Sequence, residues 1–109
     1  MNYSTLLSKL YVELYEPKLL PHDLLENLNL KNYISVNFSM RDGLTIGNTK
    51  CYLDNGSIGE FVYTFNENKL IRLEALSKNE QPKIIYDRQN EIIKLKTEIN
   101  LHLNYSIVS

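Results

Sequence analysis

Asn48, Lys50 and Tyr52 stand at alternate positions of one apolar-and-polar stretch, so a strand there would place all three on one face. Tyr63 is expected beside Asn48 on the neighbouring strand. A lysine held among apolar groups loses its charge and becomes a base or a Schiff-base nucleophile. These four residues therefore form an alternative pocket, against the plainer reading that Lys50 snorkels to water at the rim of the sheet. General bases are most often His, Glu or Asp. Asp42, Asp54, Glu60, Glu67 and Glu74 instead map to turns or to the opposite face. The enzyme reading is weaker for it.

No other motif carries chemistry. Asp54-Asn55-Gly56-Ser57-Ile58-Gly59-Glu60 has the residue types of a calcium loop without its alternating oxygen ligands or its terminal glutamate, and reads as a hairpin turn. His22 and His102 are far apart and have no partner at ligand spacing. The single Cys51 excludes an internal disulfide and behaves as a small hydrophobe. The four glycines form no phosphate-cradling loop. Neither a catalytic residue, nor a metal, nor a cofactor is assigned.

The elements that position these residues follow from hydrophobic period. Ser4 is a plausible N-cap for a helix to Glu16, with Leu6, Leu7, Leu10, Tyr11, Leu14 and Tyr15 on one stripe. Pro17 ends it, and Pro21 opens a second, shorter helix carrying Leu24, Leu25 and Leu28. From Tyr33 the period changes to two. A three-residue loop with Gly43 left-handed would pair Met40 with Leu44 and Phe38 with Ile46; a two-residue Asp42-Gly43 turn would pair Arg41 with Leu44. The first is preferred because it keeps apolar residues on one face. Asn55-Gly56 suggests a type I′ turn pairing Leu53 with Ile58, and a turn with Asn68 left-handed would set Tyr63 opposite Ile71. A short strand near Lys83–Tyr86 follows, then a tight connection at Arg88-Gln89-Asn90. The alternation of Ile93, Leu95, Thr97, Ile99, Leu101, Leu103, Tyr105 and Ile107 predicts a long final strand.

These elements predict one α+β domain spanning 1–109: helices over 1–30, one or both packed on one face of a five- to six-stranded antiparallel meander over 33–107. Its core face would carry Ile34, Val36, Phe38, Met40, Leu44, Ile46, Phe61, Tyr63, Phe65, Ile71 and Leu73. A helix across such a sheet resembles, in architecture, the cystatin-like and nuclear-transport-factor-like cone folds, and that resemblance implies a small-molecule-binding or enzymatic alternative. The outer face would carry Leu53, Ile58, Val62 and Leu70 with Glu60 and Arg72 as a polar rim, beside Cys51, Thr49 and Thr64. Polar residues normally fill such a face, so this set is a candidate interface. The long final strand would leave an open edge through which two copies could pair as a homodimer.

Charge narrows the partners. Thirteen acidic against twelve basic residues leave a net charge of −1, and the balance holds along the chain. Eight tyrosines without clustered Arg and Lys argue against nucleic acid. With no apolar run near membrane-spanning length and no signal-peptide pattern, a cytoplasmic protein is expected. The bias to Lys, Asn and Tyr suggests a bacterial or phage source. The function expected is a non-catalytic protein-interaction module: an inhibitor, a toxin-immunity protein or an accessory subunit.

Overall fold

A computed structural model describes residues 2–108. The described chain is an α+β fold that divides into two compact units, one built from residues up to Glu16 and from Arg88 onward, the other from Pro17–Asp87.

In the helical unit, Asn2 rather than Ser4 caps helix α1 (Tyr3–Tyr15): its side-chain oxygen accepts from the Thr5 backbone N–H at 2.8 Å, satisfying one of the orphan donors of the first turn. Pro17 prevents continuation. The leucine stripe of α1 packs on helix α3 (Arg88–Val108), where Leu6 meets Leu95 and Ile99, with Tyr3 and Leu10 alongside. The helices run antiparallel. Tyr3, at the start of α1, stacks on His102 near the end of α3, while Arg88, which opens α3, donates to the carbonyl of Glu13 near the end of α1.

This overturns the expected final strand and the tight connection at Arg88-Gln89-Asn90; the segment is helical from Arg88. Ile92, Leu95 and Ile99 are buried at helical spacing, and Ile93 and Leu101 stand 52% and 64% exposed. By pattern alone, such exposure disfavours a helix. It is tolerated because apolar residues are common on protein surfaces, and because no Gly or Pro interrupts a run in which Arg, Gln, Glu, Lys and Leu supply nine of 21 residues. The side chains of Tyr105 and Ile107 lie outside the described residues. Among the described residues, no helix is long and apolar enough to cross a membrane.

The second unit opens with helix α2 (Pro21–Glu26), which begins at its proline as expected; Asp23 reaches back to accept from the Leu20 N–H at 2.8 Å. A 3₁₀ turn, Asn27–Asn29, leads into strands β1 (Tyr33–Arg41), β2 (Leu44–Tyr52), β3 (Ile58–Asn66), β4 (Lys69–Leu76) and β5 (Lys83–Asp87). They form one five-stranded antiparallel sheet in meander order β1-β2-β3-β4-β5. Leu24 is fully buried against this sheet in a cluster with Phe65 and Leu70, which Leu19, Val36, Tyr63 and Tyr86 surround. Burial of this one leucine stabilises the unit by about 1.5–3 kcal/mol.

The turns differ from expectation, and the differences decide the faces. Asp42 and Gly43 both adopt left-handed backbone, φ 52° and 79°, and form the two-residue turn that pairs Arg41 with Leu44. At the next hairpin only Gly56 is left-handed, φ 84°. Asn55 instead accepts from the Ser57 N–H and hydroxyl, and the Leu53 N–H bonds the Ser57 carbonyl, giving a three-residue loop. The third turn is again two-residue, with Glu67 and Asn68 at φ 50° and 63°.

Each single-residue shift inverts the strand beyond it. The first two shifts cancel across β2, so β2 alone is turned over relative to expectation. Phe38 and Phe61 do share a face, but Leu44 and Ile46 do not share it with them; Thr45, Gly47, Thr49 and Cys51 do. Ile34 sits in a β-bulge of β1; the third turn sets Leu70 opposite Phe65, on the covered face, and a further irregularity between Thr64 and Phe65 leaves Ile71 at the break and sets Leu73 opposite Tyr63.

Candidate functional site

The outer face of the sheet, opposite Leu24, is read directly from the registers. Tyr52 lies opposite Ile58; Lys50 faces Glu60, which faces Leu76; Asn48 faces Val62, which faces Glu74 and then Ile84. In the next row Ile46 faces Thr64, Arg72 and Asp87 in turn. Apolar, polar and charged side chains are thus intermixed on this face.

Of the six residues expected on this surface, Ile58, Val62, Glu60 and Arg72 are on it. Leu70 is not. It is buried in the core at 6% exposure, because the two-residue Glu67-Asn68 turn sets it opposite Phe65 on the covered face. Leu53 lies beyond β2 in the hairpin loop, folded against Gly59, where its Cδ2 sits 2.8 Å from the position a Cβ would occupy. Thr49 and Cys51 are likewise inward and buried. In their place β2 supplies Leu44, Ile46, Asn48, Lys50 and Tyr52.

Polar contacts fix the charged members. The Asn48 side-chain amide donates to Glu60 Oε1 at 3.0 Å, which positions that carboxylate beside Lys50. Arg72 donates through Nε and Nη2 to Asp87 Oδ2 at 3.4 and 3.2 Å, tying the two last strands across the outer face. Between them the apolar groups are open: Ile58 is 59% exposed, Tyr52 51% and Ile84 49%. An open concavity of about 1020 Å³ borders this surface where the β2–β3 hairpin meets the end of β4, lined among others by Lys50, Ile58, Glu60 and Leu76.

The alternative pocket is not assembled. Asn48, Lys50 and Tyr52 point to the outer face, whereas Tyr63 is on the covered face. Lys50 is solvent-exposed. The apolar enclosure that would neutralise a lysine is missing there. Tyr63 instead belongs to an inward polar group: burial, then the adjacent Tyr33 and its hydrogen bond, then Cys51, hold its phenol up at about 12. Tyr33 in turn accepts from the Asn27 side chain at 3.3 Å. His22 lies 3.4 Å from Asp23, and His102 stacks on Tyr3. Among the described residues, no three His, Cys, Asp or Glu side chains gather where they could hold a metal.

Ile46, Leu76 and Ile84 belong to the outer face and were not anticipated. The signal that could have found Ile46 is Gly47: a glycine in mid-strand marks a close approach on its own face, which sends Ile46 and Asn48 to the other. Ile84 and Leu76 have no comparable local marker. The chain matches no protein-family model, and it has no match among curated proteins or among solved structures.

Proposed function

We propose that this chain is a non-catalytic protein-interaction module that binds its partner through the outer face of the sheet. The observation that carries the reading is the exposure of Tyr52, Ile58 and Ile84 around half-buried Ile46, Val62 and Leu76, on a face whose charged side chains Glu60 and Arg72 are already oriented by Asn48 and Asp87. A non-obligate protein interface sets apolar anchors inside a polar rim, where the anchors supply affinity and pre-positioned charges select the partner. The partner suited to it is a protein surface of the same mixed character. An inhibitor, a toxin-immunity protein or an accessory subunit would all work this way.

The test is affinity capture from the native cell with the wild-type chain and with Ile58→Glu and Ile84→Lys. Both replacements are at exposed positions, so far-ultraviolet circular dichroism should be unchanged while a captured protein is lost. A partner retained by both variants would rule out this face.

A further inference from the structure

We infer that β1 is the site at which a second copy of this chain adds, strand to strand, to give a continuous ten-stranded sheet around a two-fold axis. The expected edge, a final strand after Asn90, does not exist; the sheet's two edges are β1 and β5. They are treated very differently by the sequence. β5 is five residues long, is preceded by Pro82, starts on Lys83, ends on Asp87 and pairs irregularly with β4. Those are the features that blunt an edge. β1 runs nine residues, and from Tyr33 to Met40 it has neither a charge nor a proline. Asn37, Phe38, Ser39 and Met40 are all exposed, Met40 at 68%. Among the described residues, no strand pairs with its outer side.

The backbone says which groups are on offer. Asp42-Gly43 is a two-residue turn, so Arg41 and Leu44 form the hydrogen-bonded pair that closes it. Alternation along the ladder puts Ser39 with Ile46 and Asn37 with Asn48 in the same class, and leaves the N–H and C=O groups of Val36, Phe38 and Met40 directed away from β2.

Symmetry then favours a second copy over an unrelated segment. A two-fold axis that sets neighbouring strands antiparallel is perpendicular to the sheet and cannot exchange its faces, so each residue must meet one of its own face. Phe38 pairs with Phe38 of the second copy and Val36 with its Met40 on the helix-covered face; Asn37 pairs with Ser39 on the outer face. All three outward-directed residues find hydrogen-bonding partners, apolar meets apolar, and no two like charges are opposed. This register stays within residues that pair regularly with β2 and keeps the bulge at Ile34 out of the ladder. The contact is one strand wide, smaller than a standard interface, so association in the micromolar range is expected.

Sedimentation velocity over a micromolar concentration series tests this. The wild-type chain should shift from monomer to dimer, and the amides of Val36, Phe38 and Met40 should gain exchange protection with concentration. Phe38→Lys opposes two like charges on the axis and should weaken association by about tenfold or more. An equimolar mixture of Phe38→Lys with Phe38→Glu should restore the dimer as a heterodimer. Should either Phe38 variant unfold, Met40→Lys, at a largely exposed side chain, should weaken the dimer in its place. A wild-type chain that stays monomeric throughout overturns the proposal. So does a dimer that survives both Phe38→Lys and Met40→Lys. Ile58→Glu leaves β1 untouched and should not alter the dimer, so failure of the outer-face reading and failure of this one are separately visible.

Discussion

Leu24 sits directly over Gly47: its Cδ1 lies 2.8 Å from where a Cβ on that glycine would be, and Phe38 Cε1 lies 3.1 Å from the same point. Leu24 is fully buried, so its side chain can turn aside only against neighbouring core atoms. The helix therefore docks through the one position of β2 that lacks a side chain. Gly47→Ala should destabilise the chain by about 1–3 kcal/mol through overpacking, despite the entropic advantage of alanine over glycine in a strand. Urea denaturation checks it, as a lower midpoint with an unchanged slope. A midpoint at or above that of the wild type would mean that α2 does not sit on this strand.

Arg88 and the carbonyl of Glu13 hold the far end of the helical pair. The last carbonyls of α1 have no acceptor role within their own helix, and a guanidinium donating to one satisfies it and counters the negative end of the helix dipole. Arg88 is 6% exposed, so little solvent reaches it. Arg88→Met keeps the aliphatic stem and removes that donor. A loss of about 1–3 kcal/mol is expected, the range for a buried acceptor deprived of a charged donor. The readout is a lower Tm in far-ultraviolet circular dichroism.

Tyr63 gives the chain a pH dependence of definite sign. Its phenol titrates at about 12 in the folded state against the usual 10, raised by burial first and by Tyr33 second. Below pH 10 it is protonated folded or unfolded and contributes no slope. Between 10 and 12 the unfolded chain loses this proton more readily than the folded one, so stability falls as pH rises across that window. Tyr63→Phe should flatten the fall and remove a phenolate from the absorbance titration near pH 12. An unaltered profile would show that another tyrosine is responsible.

The same three turns explain what was legible in the sequence. Strand positions followed from alternation, and the covered set Val36, Phe38, Phe61, Tyr63, Phe65 and Leu73 follows from it as well, because two register errors cancelled across β2. The turn types did not follow, because Asp-Gly and Asn-Gly each suit two loop lengths. The choice rests on whether Asn55 turns left-handed or keeps its oxygen for Ser57, a local competition of about the energy of one hydrogen bond. On that choice and the length of the Asp42-Gly43 turn hangs every side chain of β2, and with it the division between outer face and alternative pocket. Gly47 was the available arbiter, since only one register puts it beneath a covering helix.

The C-terminal segment failed for a different reason, and it supplies the sharpest test of the architecture. Ile93, Leu95, Ile99 and Leu101 satisfy strand alternation, yet in α3 they divide: Ile99 is 7% exposed against Leu6, while Leu101 is 64% exposed. Ile99→Asp buries a charge in the seam between α1 and α3 and should cost about 2–5 kcal/mol. Leu101→Asp places the same charge in water and should stay within about 0.5 kcal/mol of the wild type. In a strand these two residues would face the same way and suffer alike. Equal losses in thermal denaturation would therefore reject the helix, and a loss confined to Ile99 would establish the face on which α3 meets α1.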